Sequence, residues 1–262
     1  MSQANLKIHP SAIIEPTAKL GENVSVGPFS YIGDEVEIGD NTIIESHVVI
    51  KGPCSIGQNN HIYQFSSIGE ANQDKKYAGE PTRTTIGDNN VIRECVTIHR
   101  GTVQDLSNTI IGNNNLLMAY VHVAHDCVMG DNNIMANNAT LAGHVVIGDW
   151  CILGGFTGVH QFCRIGSHSF CSISSVVVKD VPPFVMAEGQ RAIPRGINSE
   201  GLKRRGFSKD DISAVRQAYK TLYRDNLPLE DAIQALQQSA KTSEPVKQMA
   251  DFIVNAPRGI IR

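Results

Sequence analysis

The chain has 262 residues, 41% hydrophobic and 6% aromatic, with a net charge of −3. That length allows a sizeable core in one domain or two, and the charge balance gives the molecule no general affinity for nucleic acid. No segment approaches the roughly 20 apolar residues of a membrane helix, so no integral membrane span is expected. The opening MSQANLKIHPSAIIEP lacks the apolar run of a signal peptide. The cysteines Cys54, Cys95, Cys127, Cys151, Cys163 and Cys171 form no CxxC pair and no framework spacing. Such cysteines serve as small core residues in a reducing compartment. A cytoplasmic location is the expectation.

In chain order, the first signal is a repeat. Aliphatic residues fall every sixth position from Ile8 through Ile14, Leu20 and Val26 to Ile68. The phase returns at Ile86, Ile92 and Ile98, slips by one across HRGTVQDLSNTI, and then holds from Ile111 to Val177. Glycine often follows the aliphatic residue, then Asp, Asn, Glu or Gln, as in LGEN, IGDN and MGDN. These are turn residues, tolerant of positive φ. Four places after the aliphatic comes a small or β-branched residue such as Ala18, Ser30, Val121 or Cys127. Two inward positions and a corner in every unit describe a short strand that bends, not a helix. Stacked coils would satisfy backbone hydrogen bonds from unit to unit, as solenoids do. The pattern resembles the left-handed parallel β-helix, which has three units to each triangular coil; handedness and triangle come from that resemblance.

Two polar segments interrupt the repeat, EANQDKKYAGEPTRTT at 70–85 and RGTVQDLSNT at 100–109. Both are expected to leave the wall as loops, the usual carriers of function on a rigid scaffold, although the second reads more as a tolerated insertion. After KDVPPF the repeat ends, which divides the chain into a β-helix over 1–185 and an α-helical region over 186–262. NSEGLKRRGFSKDDISAVRQAYKTLYRD reads as helix, with Ser208 as N-cap and Asp211 in a capping-box position. Ile212, Val215, Ala218 and Leu222 form its apolar stripe. LPLEDAIQALQQSA and EPVKQMADFIVNA supply two more helices. This helical piece either covers the solenoid end or packs against a neighbour.

The chemistry-bearing stretch is YVHVAHDC at 120–127. With three units per coil, residues 18 apart share a column, and coils lie about 4.8 Å apart. Gly143 then lies over His125 and His144 over Asp126, with Gln161 and His160 a further coil up. If the second insertion removes seven residues from the count, His99 joins from below. His122 also points outward, so His99, His122, His125, His144 and His160 share one edge. Histidine beside aspartate suits general-base work. A glycine N–H at a corner suits an oxyanion. Several imidazoles also suit zinc, as in the hydratases built on this scaffold. A non-catalytic scaffold is the third alternative. No G-x-S-x-G elbow is present, and Cys127 occupies an inward slot.

Several longer motifs resemble the UDP-N-acetylglucosamine O-acyltransferases that begin lipid A synthesis. They are IYQFSSIGEANQDKKYAGEPTR, TIHRGTVQ, NNLLMAYVHVAHDC, NNATLAGHVVIGD, VHQFC, NSEGLKRRGF and the terminal RGIIR. The resemblance implies direct transfer from an acyl carrier protein thioester to the glucosamine 3-hydroxyl of UDP-N-acetylglucosamine. It implies no metal and no resident cofactor, since phosphopantetheine arrives on the carrier protein. By the same resemblance His125 is the base, Asp126 orients it, and the Gly143 N–H stabilises the oxyanion. His99, His122, His144, His160 and Gln161 would line the cleft; Gln73, Asp74 and Lys76 would contact sugar and acyl chain. Asn198, Glu200, Arg204 and Arg205 would serve the nucleotide. A homotrimer with clefts between subunits is implied as well. Independently, the KRR cluster at 203–205 suits pyrophosphate or an acidic carrier protein. Two departures stand out. Ile173 occupies the place of a glycine found in members selective for long hydroxyacyl chains, so a shorter chain is expected. Arg191 replaces a histidine common in the family.

Overall fold

The computed structural model describes residues 7–262. From Lys7–Ile8 to Val176–Val177 the wall consists of strands two to four residues long, each followed by a corner. They form three parallel sheets of 9, 9 and 8 strands, in which each strand pairs with the third one along the chain; two later strands extend the first sheet to 11. Lys7 pairs with Ser25 and Ile134 with Ile152, a step of 18. The fold is a left-handed β-helix of hexapeptide repeats with a smaller helical region after it. The second insertion widens one step from 18 to 25, pairing Thr97 with His122. Its excess is the seven residues needed to bring His99 into the histidine column. The first insertion widens a step to 30, pairing His61 with Val91.

The sixth-position aliphatics make the core: Ile32, Ile50, Ile68, Ile98, Val123 and Leu141 are wholly buried. The small residues four places on are buried too, including Ser30, Val121, Cys127 and Ala139. Ile8, Ile14, Ala18 and Leu20 are only partly covered, because among the described residues no coil lies beneath the first. An inner ladder adds polar register. The Oδ1 atoms of Asn60, Asn90, Asn115 and Asn133 accept, in turn, the N–H of Asn90, Asn115, Asn133 and Cys151 at 2.7–2.9 Å.

The glycines have a different reason from the one expected. Positive φ falls two residues after them, on Asn23, Asn41 and Asn59, and also on His47, Asp126 and His144. Gly27 and Gly39 instead allow close stacking: a Cβ there would sit 2.7 and 2.6 Å from the backbone of the next coil. Sequence windows cannot separate these causes, since both place small residues at one corner.

Both loops are shorter than their polar sequences suggest. Glu70 still belongs to a strand, and Arg83–Ile86 and Asn108–Ile111 already pair with neighbouring coils. The wall also runs past residue 185. Val185–Glu188 pairs with the strand Phe170–Cys171 and turns back antiparallel onto Ile193–Ile197. Helix α1 (Ser199–Arg204) follows, then α2 (Lys209–Tyr223), α3 (Leu229–Ser239) and α4 (Glu244–Val254). The segment read as one helix is therefore two, parted at Gly206 with φ 81°. Ser208 and Asp211 close the expected capping box, and Ile212, Val215, Ala218 and Leu222 are buried. The region covers the solenoid end: Phe184 is wholly buried, and Ile260 bridges to Asp180 of the last coil.

Candidate active site

The corner after strand His122–Val123 carries His125 and Asp126. Coil stacking fixes what lies above them. The His144 N–H donates to the His125 carbonyl at 3.0 Å, and the Phe162 N–H to the Gly143 carbonyl at 3.2 Å. Gly143 lies against the His125 ring so closely that a Cβ would meet Cε1 at 2.5 Å and Nε2 at 2.7 Å. Its own N–H donates to no acceptor among the described residues. His125 Nδ1 is 2.9 Å from Asp126 Oδ2. An ionised carboxylate only accepts, so Nδ1 carries a proton, and in the neutral ring Nε2 keeps its lone pair.

Asp126 is 1% exposed. The Thr102 N–H approaches both carboxylate oxygens at 3.0 Å, and its hydroxyl donates to Oδ2 at 2.6 Å. Burial alone would raise this carboxyl, but the hydrogen bonds from His125 and Thr102 outweigh it and hold Asp126 below the usual carboxylate range. One coil up, His144 Nδ1 donates to Asp105 Oδ2 at 2.6 Å, and its ring stacks on Phe162 at 4.3 Å. On the coil of His125 itself, His122 Nδ1 bonds the hydroxyl of Thr97, one coil down, at 2.7 Å, and its ring meets His99 edge-on at 4.9 Å. Burial, then neighbouring imidazoles, pushes His122 down to about 4; burial lowers His99 as well. His125, Asp126 and His144 lie close enough to share an ion. Both Nδ1 atoms and the Asp126 oxygens, however, are already engaged in hydrogen bonds. Cys127 is wholly buried, its thiol donates to the Ala142 carbonyl at 3.2 Å, and burial pushes it up to about 12. A nucleophile needs the thiolate.

His99, His122, His125, Gly143 and His144 line a cleft of about 930 Å³, with Asp126 buried behind them. Gln73, Asp74 and Lys76 of the first insertion form another wall of it, with Gln161 above. The geometry matches known proteins throughout. The pattern described as "Udp N-acetylglucosamine O-acyltransferase; Domain 2" matches residues 180–261, and "Bacterial transferase hexapeptide" matches 17–52 and 108–143. The acyl-(acyl-carrier-protein)–UDP-N-acetylglucosamine O-acyltransferase of Thiobacillus denitrificans is 58% identical over 97% of this chain and 99% of its own length. The chain belongs to this family of O-acyltransferases. The Janthinobacterium sp. protein of the same description is 57% identical over the same shares. Among solved structures, the Francisella novicida UDP-N-acetylglucosamine acyltransferase superposes with a TM-score of 0.96 at 43% identity, covering 97% of this chain and 94% of that one. The Moraxella catarrhalis enzyme superposes with a TM-score of 0.95 at 47% identity, covering 97% and 99%.

Not every expected residue of this acyltransferase meets the others within one chain. His160 is exposed, with Nδ1 3.1 Å from the Gln161 carbonyl. Ile173 is 69% exposed at a different corner of the coil. Asn198, Glu200, Arg204 and Arg205 sit on or beside α1, away from His125. Asn198 caps α1 and donates to the His168 carbonyl at 2.9 Å, and Glu200 pairs with Lys203. The Arg205 guanidinium lies over Trp150 and 3.3 Å from His168 Nδ1. Arg204 is exposed. Sequence reasoning missed Thr102, Asp105 and Phe162. The first two lie in the second insertion, which reads as a tolerated loop; its signals were its position beside the histidine column and, for Thr102, the TIHRGTVQ motif.

Proposed function

We propose that the chain moves a 3-hydroxyacyl group from an acyl carrier protein thioester to the glucosamine 3-hydroxyl of UDP-N-acetylglucosamine, opening lipid A synthesis. One observation carries the mechanism: a buried Asp126 holds the His125 Nδ1–H, while the Nε2 lone pair and the unpartnered Gly143 N–H share the cleft. His125 Nε2 takes the hydroxyl proton as that oxygen attacks the thioester carbonyl. The Gly143 N–H stabilises the resulting oxyanion. Collapse forms the ester, breaks the C–S bond and returns the proton from His125 to the departing thiolate. No metal or resident cofactor enters the reading. Zinc on the same residues is less well supported, because Asp126, the third ligand it would need, is already held by hydrogen bonds from His125 and Thr102.

The finer assignments follow from the family. His99, His122, His144 and Gln161 line the cleft, and Gln73, Asp74 and Lys76 meet sugar and acyl chain. Asn198, Glu200, Arg204 and Arg205 would reach the nucleotide from another subunit of a homotrimer, with His160 at the seam. Ile173 would end the acyl groove and favour a short chain. No helix among the described residues is long and apolar enough to cross a membrane, in keeping with a cytoplasmic enzyme. The test is thioester release with UDP-N-acetylglucosamine and hydroxyacyl carrier proteins of graded length. His125→Ala should lose about 10²–10⁴-fold in rate, the general-base share, while remaining folded. Near-normal turnover would remove His125 from the mechanism, and stoichiometric zinc in purified, active protein would favour the hydratase.

A further inference from the structure

The cleft contains two imidazole–carboxylate pairs, and the mechanism above uses one. His144 Nδ1 lies 2.6 Å from Asp105 Oδ2 but also only 4.0 Å from Asp126 Oδ2, the atom that His125 uses at 2.9 Å. The His125 and His144 rings meet edge-on at 4.9 Å. A small rotation would let His144 compete with His125 for one oxygen. Asp126 has little capacity for a further partner, because Oδ2 already accepts from His125 and the Thr102 hydroxyl.

We infer that Asp105 is a positioning residue: it holds His144 as its Nδ1–H tautomer, turned away from Asp126, so that Asp126 serves His125 alone. This rests on His125 being the base. The stacking of His144 on Phe162 fixes the ring plane, with 9° between the rings, but leaves open which edge faces which carboxylate. Asp105 decides that. It can do so because one turn of chain carries both clamps. The Asp105 and Ser107 N–H groups fold back onto the Thr102 carbonyl, and Thr102 grips Asp126. The insertion is itself braced. Arg100 donates twice to the Gly69 carbonyl, and the Asn72 amide donates to the Gly101 carbonyl at 3.0 Å. The second loop thus orients both imidazoles, and the first loop steadies it. The other charged groups on the cleft wall, Asp74 and Lys76, make no hydrogen bond or ion pair with His144.

The experiment is a mutant cycle with a spectroscopic readout. Asp105 is 40% exposed on its side chain, so Asp105→Ala is expected to fold. It should lower kcat about 10- to 100-fold, the scale of an ångström-level misplacement. Asp105→Asn keeps an acceptor at the same place and should recover most of that loss. In a His144→Ala background, where nothing competes for Asp126, Asp105→Ala should add nothing. The ¹⁵N shifts of His144 should show Nδ1 protonated in the parent and in Asp105→Asn, and lose that preference in Asp105→Ala. Unchanged kcat in Asp105→Ala, or an equal loss in the His144→Ala background, overturns the inference. Should His125→Ala itself stay active, the base assignment has failed instead, and the ¹⁵N shifts still report whether Asp105 holds His144.

Discussion

Gly143→Ala is a sharp test because it separates two roles that share one residue. The change keeps the N–H that would meet the oxyanion and adds only a methyl group. That methyl would sit 2.5 Å from His125 Cε1, short of an ordinary 3.4 Å contact by 0.9 Å. The backbone has no left-handed φ at this position, so alanine can adopt it. Something must move, and the ring is the freer party: its side chain is 16% exposed, while the backbone on both sides is bonded into the coil stack. A shift of that size takes Nε2 out of line with the attacking hydroxyl and costs about 100-fold in kcat. Folding should suffer by no more than about 1–3 kcal/mol, the range for an extra methyl group in a packed site. The assay is single-turnover thioester release, with a thermal melt alongside. In a His125→Ala background the methyl group has room, and the second change should be silent. Parent-level kcat in Gly143→Ala would refute the geometric reasoning. Further loss in the His125→Ala background would show that the amide itself had been disturbed.

Other outcomes follow from the same coordinates. Thr102→Val removes the hydroxyl donor to a buried carboxylate and should cost roughly 1–3 kcal/mol at neutral pH. Because Asp126 is held below its ordinary value of 3.8, that stability is present above it and fades as acid protonates the group. Melts of parent and variant should therefore converge as pH falls below that ordinary value, and a constant gap would contradict the assignment. Burial, joined by Arg205, lowers His168 to about 4, as burial lowers His122. Between that value and the unfolded imidazole's, near 6.5, the unfolded chain binds more protons, so stability should fall as pH drops from about 6.5 to 4. His168→Gln should flatten that slope, as read by melting temperature against pH. Ile173→Gly should shift the preferred thioester toward longer chains, each added methylene gaining up to about 0.8 kcal/mol. An unchanged chain-length profile would show that Ile173 is not at the end of the groove.

The period of six is visible in the chain; the coil of 18, and with it the register of the histidine column, follows once the resemblance supplies three units to a coil. Ile98, Val123, Leu141 and Val159 must fill one interior, and their spacing admits few other backbones. The core aliphatics and the cleft-facing positions of His125, Gly143 and Gln161 follow from that local regularity, and the Ser208–Asp211 capping box from its own four-residue motif. Thr102 and Asp105 do not. They lie in an aperiodic loop, where no repeat constrains the backbone, and their partners are 24 and 39 residues away. The corner glycines were legible as small but not as points of contact between coils, because that contact exists only once the coils are stacked. Periodicity thus determined the corners and the stacking, and with three units to a coil the column of imidazoles. Tertiary structure alone decided which carboxylate each imidazole faces, because that choice depends on how two insertions fold back across the wall.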